Sequence, residues 1–254
     1  MSLVAPHSIL ITGASSGLGE GLARAYARSG VTLFLSGRDT ARLEDVAAAC
    51  RSEGADVETK VIDATDREAM AAWIEASEAL VPLDLVIANA GISAGTGGGG
   101  ESAEQARAIF AVNIDGVLNT VLPALPAMRA RRRGQIAIMS SLASFRGFAG
   151  APAYCASKAA VRVWGESMRA WLAPEGVAVS VICPGFVTTR MTAANRFPMP
   201  FLMDVDRASR IMVEGLARNR GRIAFPWRLR ALTWVLAALP DCVAERVGSG
   251  LPKK

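Results

Sequence analysis

Short apolar runs alternate with amphipathic segments along most of the chain. The apolar runs predict strands at Ser8–Thr12, Val31–Ser36, Val57–Ile62, Asp84–Ala88, Gln135–Met139, Val177–Ile182 and Arg222–Phe225. The segments between them have helical spacing, at Gly17–Ser29, Thr40–Arg51, Arg67–Leu80, Ser102–Phe110, Asn113–Arg131, Ala153–Leu172 and Val205–Ala217. Continuous apolar strands that alternate with helices are typical of a buried parallel sheet. The pattern predicts an α/β fold, a doubly wound parallel sheet of about seven strands with helices on both faces.

Composition and length agree with one globular unit. The chain has 254 residues, of which 51% are hydrophobic and 20% charged, which is enough to bury a substantial core and argues against disorder. No uninterrupted apolar run reaches the roughly 18 residues of a membrane-spanning helix, so we expect none. Residues 1–7 are too short for a secretory leader. No linker divides the chain before residue 190.

The cysteines and the single histidine exclude several kinds of site. Cys50, Cys155, Cys183 and Cys242 form no C-x-x-C pair, so neither a zinc site nor a redox dithiol is expected. The only histidine, His7, precedes the first strand, which excludes histidine-rich metal sites and the serine–acid–histidine order of α/β hydrolases. We therefore expect no metal, and reduced thiols favour a cytoplasmic location.

The net charge of +5 is concentrated at the C-terminal end. Residues 218–254 carry eight arginines and lysines against two acidic residues, which leaves the rest of the chain with a net charge of −1. The basic tail has the charge to bind nucleic acid, but no recognition motif accompanies it, so we expect no nucleic-acid partner. Only four of the 28 basic residues are lysines, which draws attention to Lys158 in mid-chain.

A glycine-rich turn joins the first predicted strand to a helix. Its sequence is Thr12-Gly-Ala-Ser-Ser-Gly-Leu-Gly19. Glycines let the backbone turn sharply and approach phosphates, and a helix N-terminus presents free N–H groups to an anion. The turn is therefore a candidate cradle for a dinucleotide pyrophosphate, the alternative being a turn without a ligand. It also matches the G-x-S-x-G elbow of hydrolases, but no histidine follows it in the sequence.

The end of the second predicted strand bears on which dinucleotide would fit. In folds that bind nicotinamide cofactors, an acidic residue here binds the ribose 2′-hydroxyl and repels a 2′-phosphate. This chain has Gly37 at that place and Arg38 after it, and a guanidinium matches phosphate as a fork of donors. The sequence therefore favours NADP over NAD. Arg38 could instead be a solvated turn residue, and Asp39 is expected to cap the next helix.

Tyr154 and Lys158 are four residues apart on a predicted helix, so they share a face. A phenol has a pKa of about 10 and is a poor acid–base group at neutral pH. A neighbouring ammonium stabilises the phenolate and lowers that pKa toward the working range. The pair is thus a candidate proton donor for carbonyl reduction, although such pairs also occur on solvated helix faces.

Together these motifs resemble the short-chain dehydrogenase/reductase family. Its order and spacing are matched by Thr12–Gly19, Asn89-Ala-Gly91, Asn113, Ser140-Ser141, Tyr154-Cys-Ala-Ser-Lys158 and Pro184-Gly185. The resemblance extends from residue 8 to about residue 225 and implies a Rossmann-type fold. It also implies hydride transfer between a nicotinamide cofactor and a carbonyl or alcohol carbon. Residues 1–225 would form the cofactor-binding and catalytic domain.

The resemblance implies roles for four catalytic residues. Tyr154 would be the general acid–base, and Lys158 would lower its pKa and hold the nicotinamide ribose. Ser141 would bind the substrate oxygen, since Ser140 fits less well by spacing. Asn113 would position a water in the proton path.

The resemblance also implies which residues hold the cofactor. Asp63 would contact the adenine, and Thr189 the carboxamide, with Thr188 as a near-equivalent candidate. Asn89 would pack beside the cofactor or only brace the sheet. The expected cofactor-binding set is Gly13, Ser15, Ser16, Gly17, Leu18, Gly19, Arg38, Asp63, Ala64, Asn89, Ala90, Gly91, Tyr154, Lys158, Pro184, Gly185, Val187 and Thr189.

Residues 190–205 are expected to form a lid over the substrate end. They are rich in Phe, Met and Pro and carry little charge, which favours a lipophilic ketone, aldehyde or alcohol. A lid that only packs on the domain would have the same composition. The glycine-rich stretch 95–100 could be a functional loop or only slack.

Residues 226–254 form a basic, apolar extension. Its first part, Pro226–Pro240, has two tryptophans and two arginines and predicts a short helix. The extension could pack on its own domain, where it would cover the substrate cleft, or on a partner subunit, and we favour these two roles. Residues 226–240 could instead lie on an anionic membrane surface.

These observations predict an NADP-dependent oxidoreductase for a lipophilic carbonyl or alcohol, in the cytoplasm or at a membrane surface. The resemblance implies a homodimer or homotetramer. Two alternatives stay open. One is an NAD-dependent alcohol dehydrogenase of the same family, and the other is a cofactor-binding regulatory protein without turnover.

Overall fold

One parallel sheet organises the protein. The computed structural model describes residues 5–93, 101–193, 195 and 198–240. In these residues the strands are β1 (Ser8–Thr12), β2 (Thr32–Gly37), β3 (Asp56–Val61), β4 (Leu85–Ala88), β5 (Gly134–Met139), β6 (Val177–Pro184) and β7 (Arg222–Phe225). Their spatial order is β3-β2-β1-β4-β5-β6-β7, and every neighbouring pair is parallel. The predicted doubly wound sheet of seven strands is confirmed.

Helices cover both faces of the sheet. They are α1 (Gly17–Tyr26), α2 (Thr40–Ser52), α3 (Arg67–Leu80), α4 (Ala103–Phe110), α5 (Gly116–Val121), α6 (Leu125–Ala130), α7 (Pro152–Leu172), α8 (Arg190–Ala193), α9 (Val205–Ala217) and α10 (Trp227–Ala238). Strand side chains alternate between the faces. Ile9 and Ile11 of β1 join a core layer with α1, α2 and α9, whereas Leu10 joins the layer formed with α3, α5, α6 and α7.

The strand order creates a crevice beside β1. From β1 the chain first moves outward through β2 and β3, then returns to place β4 on the other side of β1. The loops that follow β1 and β4 therefore leave in opposite directions at the carboxyl edge of the sheet. Open α/β sheets bind their ligands at such a switch point.

One long helical segment differs from the predicted elements. Sequence spacing separates a helix at Ser102–Phe110 from one at Asn113–Arg131, but the structure joins α4, α5 and α6 through a π-helical turn at Ala111–Asp115 and a 3-10 turn at Leu122–Ala124. By length and composition, the joined helix 103–130 could cross a membrane. Half of its most apolar window is buried inside the protein, as in the core helix of a globular domain.

Helix ends follow local side-chain chemistry. Asp39 caps α2 as predicted, because its carboxylate accepts a hydrogen bond from the Arg42 backbone N–H at 3.0 Å. Helix α1 ends at Tyr26 rather than at the predicted Ser29, because the next residue, Ala27, has extended backbone angles. The extension after β7 begins as predicted with a helix, α10, which packs on β7 and on a 3-10 turn at Leu142–Ser144.

Candidate active site

A cleft of about 270 Å³ follows the carboxyl edge of the sheet from β2 to β6. Every residue of the expected cofactor-binding set lines it except Gly19. These residues are far apart in sequence, and most of them meet because they follow the ends of parallel strands, whereas Tyr154 and Lys158 come from α7. The glycine-rich stretch 95–100 lies outside the described part of the chain.

The turn between β1 and α1 is shaped by its glycines. Gly13 and Gly17 have positive φ angles of 66° and 61°, which side chains disfavour. A Cβ on Gly13 would lie 2.9 Å from the Cα of Ala90. Gly19 packs tightly against the turn, because a Cβ at position 19 would lie 2.3 Å from the Gly13 carbonyl oxygen. Gly19 therefore preserves the shape of the cleft without lining it.

Asn89 braces the same turn. Its side-chain amide donates hydrogen bonds to the carbonyl oxygens of Thr12 at 2.9 Å and Gly13 at 3.2 Å. The Thr12 hydroxyl in turn accepts from the backbone N–H groups of Asn89 and Ala90. The structure thus shows the bracing role that the sequence left as one of two options, and Asn89 also lines the cleft.

The far end of the cleft, beyond β2, carries arginines. Gly37 ends the strand, and a Cβ there would lie 3.0 Å from the Ser15 hydroxyl oxygen and 3.1 Å from its Cβ. Ser15 thus fills the space that an acidic side chain at position 37 would need. The next residue, Arg38, lies 3.8 Å from the Asp63 carboxylate, which also lines the cleft. The backbone N–H of Thr65 chiefly lowers the pKa of Asp63, so this carboxylate is charged at neutral pH.

Arg42 is a site residue that the sequence analysis missed. It lies in the first turn of α2 and lines the cleft with Arg38. Its guanidinium pairs with the capping carboxylate of Asp39 at 2.8 Å. The sequence could have indicated Arg42. Asp39 is predicted to cap a helix, and Arg42, the third residue of that helix, stays close to the end of β2.

Tyr154, Lys158 and Ser141 converge near the ends of β5 and β6. Lys158 is 3% exposed, and its Nζ donates a hydrogen bond to the Met139 carbonyl at 3.0 Å and lies 5.9 Å from the centre of the Tyr154 ring. The Ser141 side chain is hydrogen-bonded to Tyr154. A Cβ on Gly91 would lie 3.1 Å from the Lys158 Nζ, so this glycine makes room for the ammonium.

Burial determines the acid–base properties of this group. It raises the pKa of Tyr154, and the hydrogen bond with Ser141 only partly opposes that rise. Burial also lowers the pKa of Lys158 to about 8. The lowering of the Tyr154 pKa by the Lys158 ammonium stays a prediction, and desolvation of the phenolate opposes it.

The two neighbouring serines have different contacts. The Ser140 hydroxyl donates to the Lys158 backbone carbonyl at 2.8 Å, so it anchors α7 to the end of β5. The Ser141 hydroxyl faces Tyr154 and accepts from the Ala143 N–H at 3.1 Å. Of the pair, Ser141 is the one whose hydroxyl is placed beside Tyr154.

Asn113 lies behind the cleft rather than on its wall. It is fully buried within the π-helical turn, and its side-chain amide donates to the Ile92 carbonyl and to the Ser157 hydroxyl, both at 3.0 Å. The Ile92 N–H donates to its side-chain oxygen at 2.8 Å. The Asn113 side chain therefore ties the segment after β4 to α7, and the placement of a water by Asn113 stays a prediction.

A second cavity, of about 280 Å³, adjoins the cleft. Five residues line both spaces, namely Ser141, Tyr154, Gly185, Met191 and Thr192, so the phenol lies at their junction. The remaining walls are mainly apolar and come from the loop before α7, the lid and α10; they are Leu142, Ala143, Phe148, Ala149, Gly150, Ala151, Cys155, Phe186, Asn195, Pro198, Pro200, Leu229, Leu232, Thr233 and Leu236.

Helix α10 contributes one face to this cavity, which agrees with covering of the substrate cleft, one of the roles that the sequence left open for residues 226–240. Leu229, Leu232, Thr233 and Leu236 have the spacing of one helix face, and this face covers the cavity. The spacing is visible in the sequence, but the rest of the helix is also apolar, so the pattern alone did not select a face. Residues 241–254 of the extension are outside the described part.

The lid enters the site after β6. Val187 and Met203 form a β-bridge, and the Thr188 N–H donates to the Met203 carbonyl at 2.8 Å. Thr188 is exposed, whereas Thr189 lines the cleft, and the Thr189 N–H donates to the Thr192 hydroxyl oxygen at 2.9 Å. The structure thus separates the two threonines that the sequence left nearly equivalent.

The cleft fits a dinucleotide. Two positive-φ glycines open the turn after β1, where the N-cap side chain of α1 makes no capping hydrogen bond, so first-turn N–H groups face an anion site. A buried lysine and a tyrosine lie at the other end, and arginines lie beyond β2. In residues 5–93, 101–193, 195 and 198–240, no group of three or more His, Cys, Asp or Glu side chains could hold a metal ion.

Comparisons with known proteins agree with this geometry. A family model described as short chain dehydrogenase matches residues 7–198. An uncharacterized oxidoreductase of Myxococcus xanthus is 41% identical and covers 97% of this chain and 100% of its own length. A short-chain dehydrogenase from Sphingobium yanoikuyae, solved in complex with NADPH, superposes with a TM-score of 0.80 at 26% identity over 96% of both chains.

A further solved structure has the same fold. It is a short chain dehydrogenase from Mycobacterium paratuberculosis bound to NAD, with a TM-score of 0.77 at 21% identity over 89% of this chain and 98% of its own. The family match spans most of the chain, and the sheet and cleft are those that the sequence motifs implied. The chain therefore belongs to the short-chain dehydrogenase/reductase family of oxidoreductases.

Proposed function

We propose that the protein is an NADP-dependent oxidoreductase that acts on a lipophilic carbonyl compound or the corresponding alcohol. The observation that carries the proposal is the position of Tyr154. Its phenol lies where the cofactor cleft meets an apolar cavity, so one proton donor faces both spaces. A bound nicotinamide in the cleft would supply or accept the hydride at the substrate carbon.

The side chains at this junction are suited to the proton half of the reaction. In reduction, the Ser141 hydroxyl donates a hydrogen bond to the substrate oxygen, and Tyr154 gives its proton to that oxygen as the carbon–oxygen double bond becomes single. In oxidation, the same phenolate oxygen takes the proton back. The Lys158 ammonium, held by the Met139 carbonyl, favours the phenolate that remains after proton transfer.

The preference for NADP is supported by the residues beyond β2. Position 37 has no side chain, and Ser15 occupies the space that a carboxylate would need. Arg38 and Arg42 line the same end of the cleft and could form a fork of donors to a 2′-phosphate. Similar proteins have been solved with NADPH and with NAD, so the preference rests on these local residues.

The class of substrate is supported by the second cavity. Leucine, phenylalanine, methionine and proline side chains form most of its wall, and Asn195, Thr192 and Thr233 are the polar side chains away from the catalytic group. Apolar walls favour a hydrocarbon-rich group beside the reacting carbonyl, because burying that group removes apolar surface from water.

The experiment is to follow the oxidation of NADPH and NADH with a panel of aldehydes and ketones graded from short and polar to long and apolar. We expect a higher kcat/KM with NADPH and an increase with apolar length. Binding of NADPH without turnover of any compound would favour the alternative of a regulatory cofactor-binding protein. Faster turnover with NADH would favour the NAD-dependent alternative.

A further inference from the structure

Helix α10 carries a second apolar face that points away from the cavity. Trp227, Ala231, Trp234 and Ala238 repeat with helical spacing and form this outer stripe. Both tryptophans are mostly exposed, at 71% for Trp227 and 69% for Trp234. Large aromatic side chains seldom stay in water unless they serve an interaction, so this face needs an occupant.

Only the inner face of α10 is covered by the described residues. Leu229 and Thr233 are buried there, and Leu232 and Leu236 join them in lining the substrate cavity. A helix that is apolar on opposite faces is normally buried on both. Packing on its own domain therefore accounts for one side of α10 and leaves the tryptophan side unexplained.

The charges beside the tryptophans favour an anionic surface. Arg228 and Arg230 lie on either side of the outer stripe and are the only charged residues of α10. The Arg228 guanidinium lies 5.5 Å from the centre of the Trp227 ring and 5.9 Å from that of Phe201 in the lid. In a two-fold contact between copies of this chain, the same patch meets itself, and α10 of the partner copy would offer these arginines no acidic side chain.

A lipid bilayer matches both properties of the face. Tryptophans prefer the level of the headgroups, and arginines beside them attract anionic headgroups. The 12 residues of α10 extend about 18 Å, so the helix can lie in the interface but is too short to span the bilayer.

The outer face also continues into the rim of the substrate cavity. Leu232 is 48% exposed although it lines that cavity. Phe201 and Leu202 of the lid are exposed near the same end of α10, with Arg228 between the lid and the helix. The rim of the cavity therefore carries apolar side chains on the same side of the protein as the outer stripe of α10.

We propose that the outer face of α10 docks on an anionic bilayer surface, which places the rim of the apolar cavity against the lipid. Docking itself requires only the tryptophans and arginines of α10. The delivery of substrate from the lipid phase rests in addition on the proposed function.

The test is co-sedimentation of the full-length protein with two kinds of vesicle. One is made of phosphatidylcholine and phosphatidylserine in equal parts, and the other of phosphatidylcholine alone. We expect binding to the anionic vesicles, weakening with salt, and little binding to the neutral ones. Replacing both tryptophans, Trp227→Ser with Trp234→Ser, should weaken binding by about tenfold or more. Trp171→Ser is the matched control, because Trp171 is 55% exposed on α7 and also lies beside an arginine.

Three results would overturn the proposal. The intact protein could stay in the supernatant with both vesicles, or the double variant could bind as well as the control. The double variant could also dissociate an oligomer of the vesicle-free protein, which would identify the face as a contact between copies. Neither tryptophan lines the cleft or the cavity, so the double variant should keep its turnover of a water-soluble substrate. Vesicle binding without turnover of any substrate would refute the proposed function and leave docking intact.

Discussion

Replacing Arg38 by alanine removes one of the two guanidinium groups at the adenosine end of the cleft. The side chain is 63% exposed and lies 3.8 Å from the Asp63 carboxylate, so loss of this solvated pair should cost at most about 1 kcal/mol of folding stability. A hydrogen bond to a charged group contributes about 1.5–3 kcal/mol. Because Arg38 is solvated and Arg42 remains, the lower value applies, and about 1.4 kcal/mol corresponds to tenfold in Kd.

We therefore expect Arg38→Ala to raise the Kd for NADPH by about tenfold and to change the Kd for NADH by less than about twofold. Calorimetric titration of each variant with both cofactors measures this difference. Arg24→Ala is the control, since Arg24 is also an exposed arginine paired with a carboxylate, at 3.0 Å from Glu20, and does not line the cleft.

Two outcomes would refute the reasoning about Arg38. An unchanged Kd for NADPH would mean that the guanidinium is only a solvated turn residue. Equal weakening of NADPH and NADH would mean that Arg38 shapes the cleft without recognising the 2′-phosphate.

Three further substitutions test how the site is built. Gly19→Ala places a Cβ 2.3 Å from the Gly13 carbonyl oxygen in the turn after β1. It should lower the free energy of unfolding by about 1–3 kcal/mol in urea and remove most of the affinity for NADPH in a titration. Gly147→Ala, which has open space around it, should change neither quantity. The pKa of Lys158 is lowered from 10.5 to about 8, so the folded protein releases this proton before the unfolded chain does. The unfolding free energy of the wild type should therefore rise relative to Lys158→Met between about pH 8 and about pH 10.5, and parallel curves would contradict this. Glu101 accepts a hydrogen bond from the Ala153 N–H at 2.7 Å in the first turn of α7, so Glu101→Ala should lower stability by about 1 kcal/mol and Glu101→Gln by less, in thermal unfolding.

Much of the site could be predicted because its motifs follow strand ends. Gly13, Gly37 and Asn89 are separated in sequence, but parallel strands bring their carboxyl ends to one edge of the sheet. The apolar runs located those strands, so the residues after them could be assigned to one cleft. Local chemistry predicted the cap of α2 for the same reason, since an N-cap depends on neighbouring residues alone.

The features of the site that the sequence did not predict depend on three-dimensional packing. Arg42 reaches the cleft only because α2 starts directly above the end of β2. The Asn113 side chain bonds Ile92 and Ser157 from within a π-helical turn, and residue spacing does not reveal those partners. The pKa of Tyr154 depends on its degree of burial, and a Tyr-x-x-x-Lys spacing indicates only which side chains are neighbours.

Helix α10 shows a different limit of sequence patterns. Apolar residues occur on most sides of α10 itself, so their periodicity does not indicate which face packs on the domain. The structure places Leu229 and Leu236 in the lining of the apolar cavity and leaves Trp227 and Trp234 outside. The oligomeric state and the cellular location stay predictions.

The most direct test of the central claim is NADPH oxidation with an apolar aldehyde by the wild type and by Tyr154→Phe. Tyr26→Phe is the control, because Tyr26 is the only other tyrosine and is buried in α1, away from the cleft. We expect Tyr154→Phe to lose about 10²–10⁴-fold in kcat while its Kd for NADPH stays within about twofold. Turnover by Tyr154→Phe at close to the wild-type rate would contradict the assignment of Tyr154 as the proton donor.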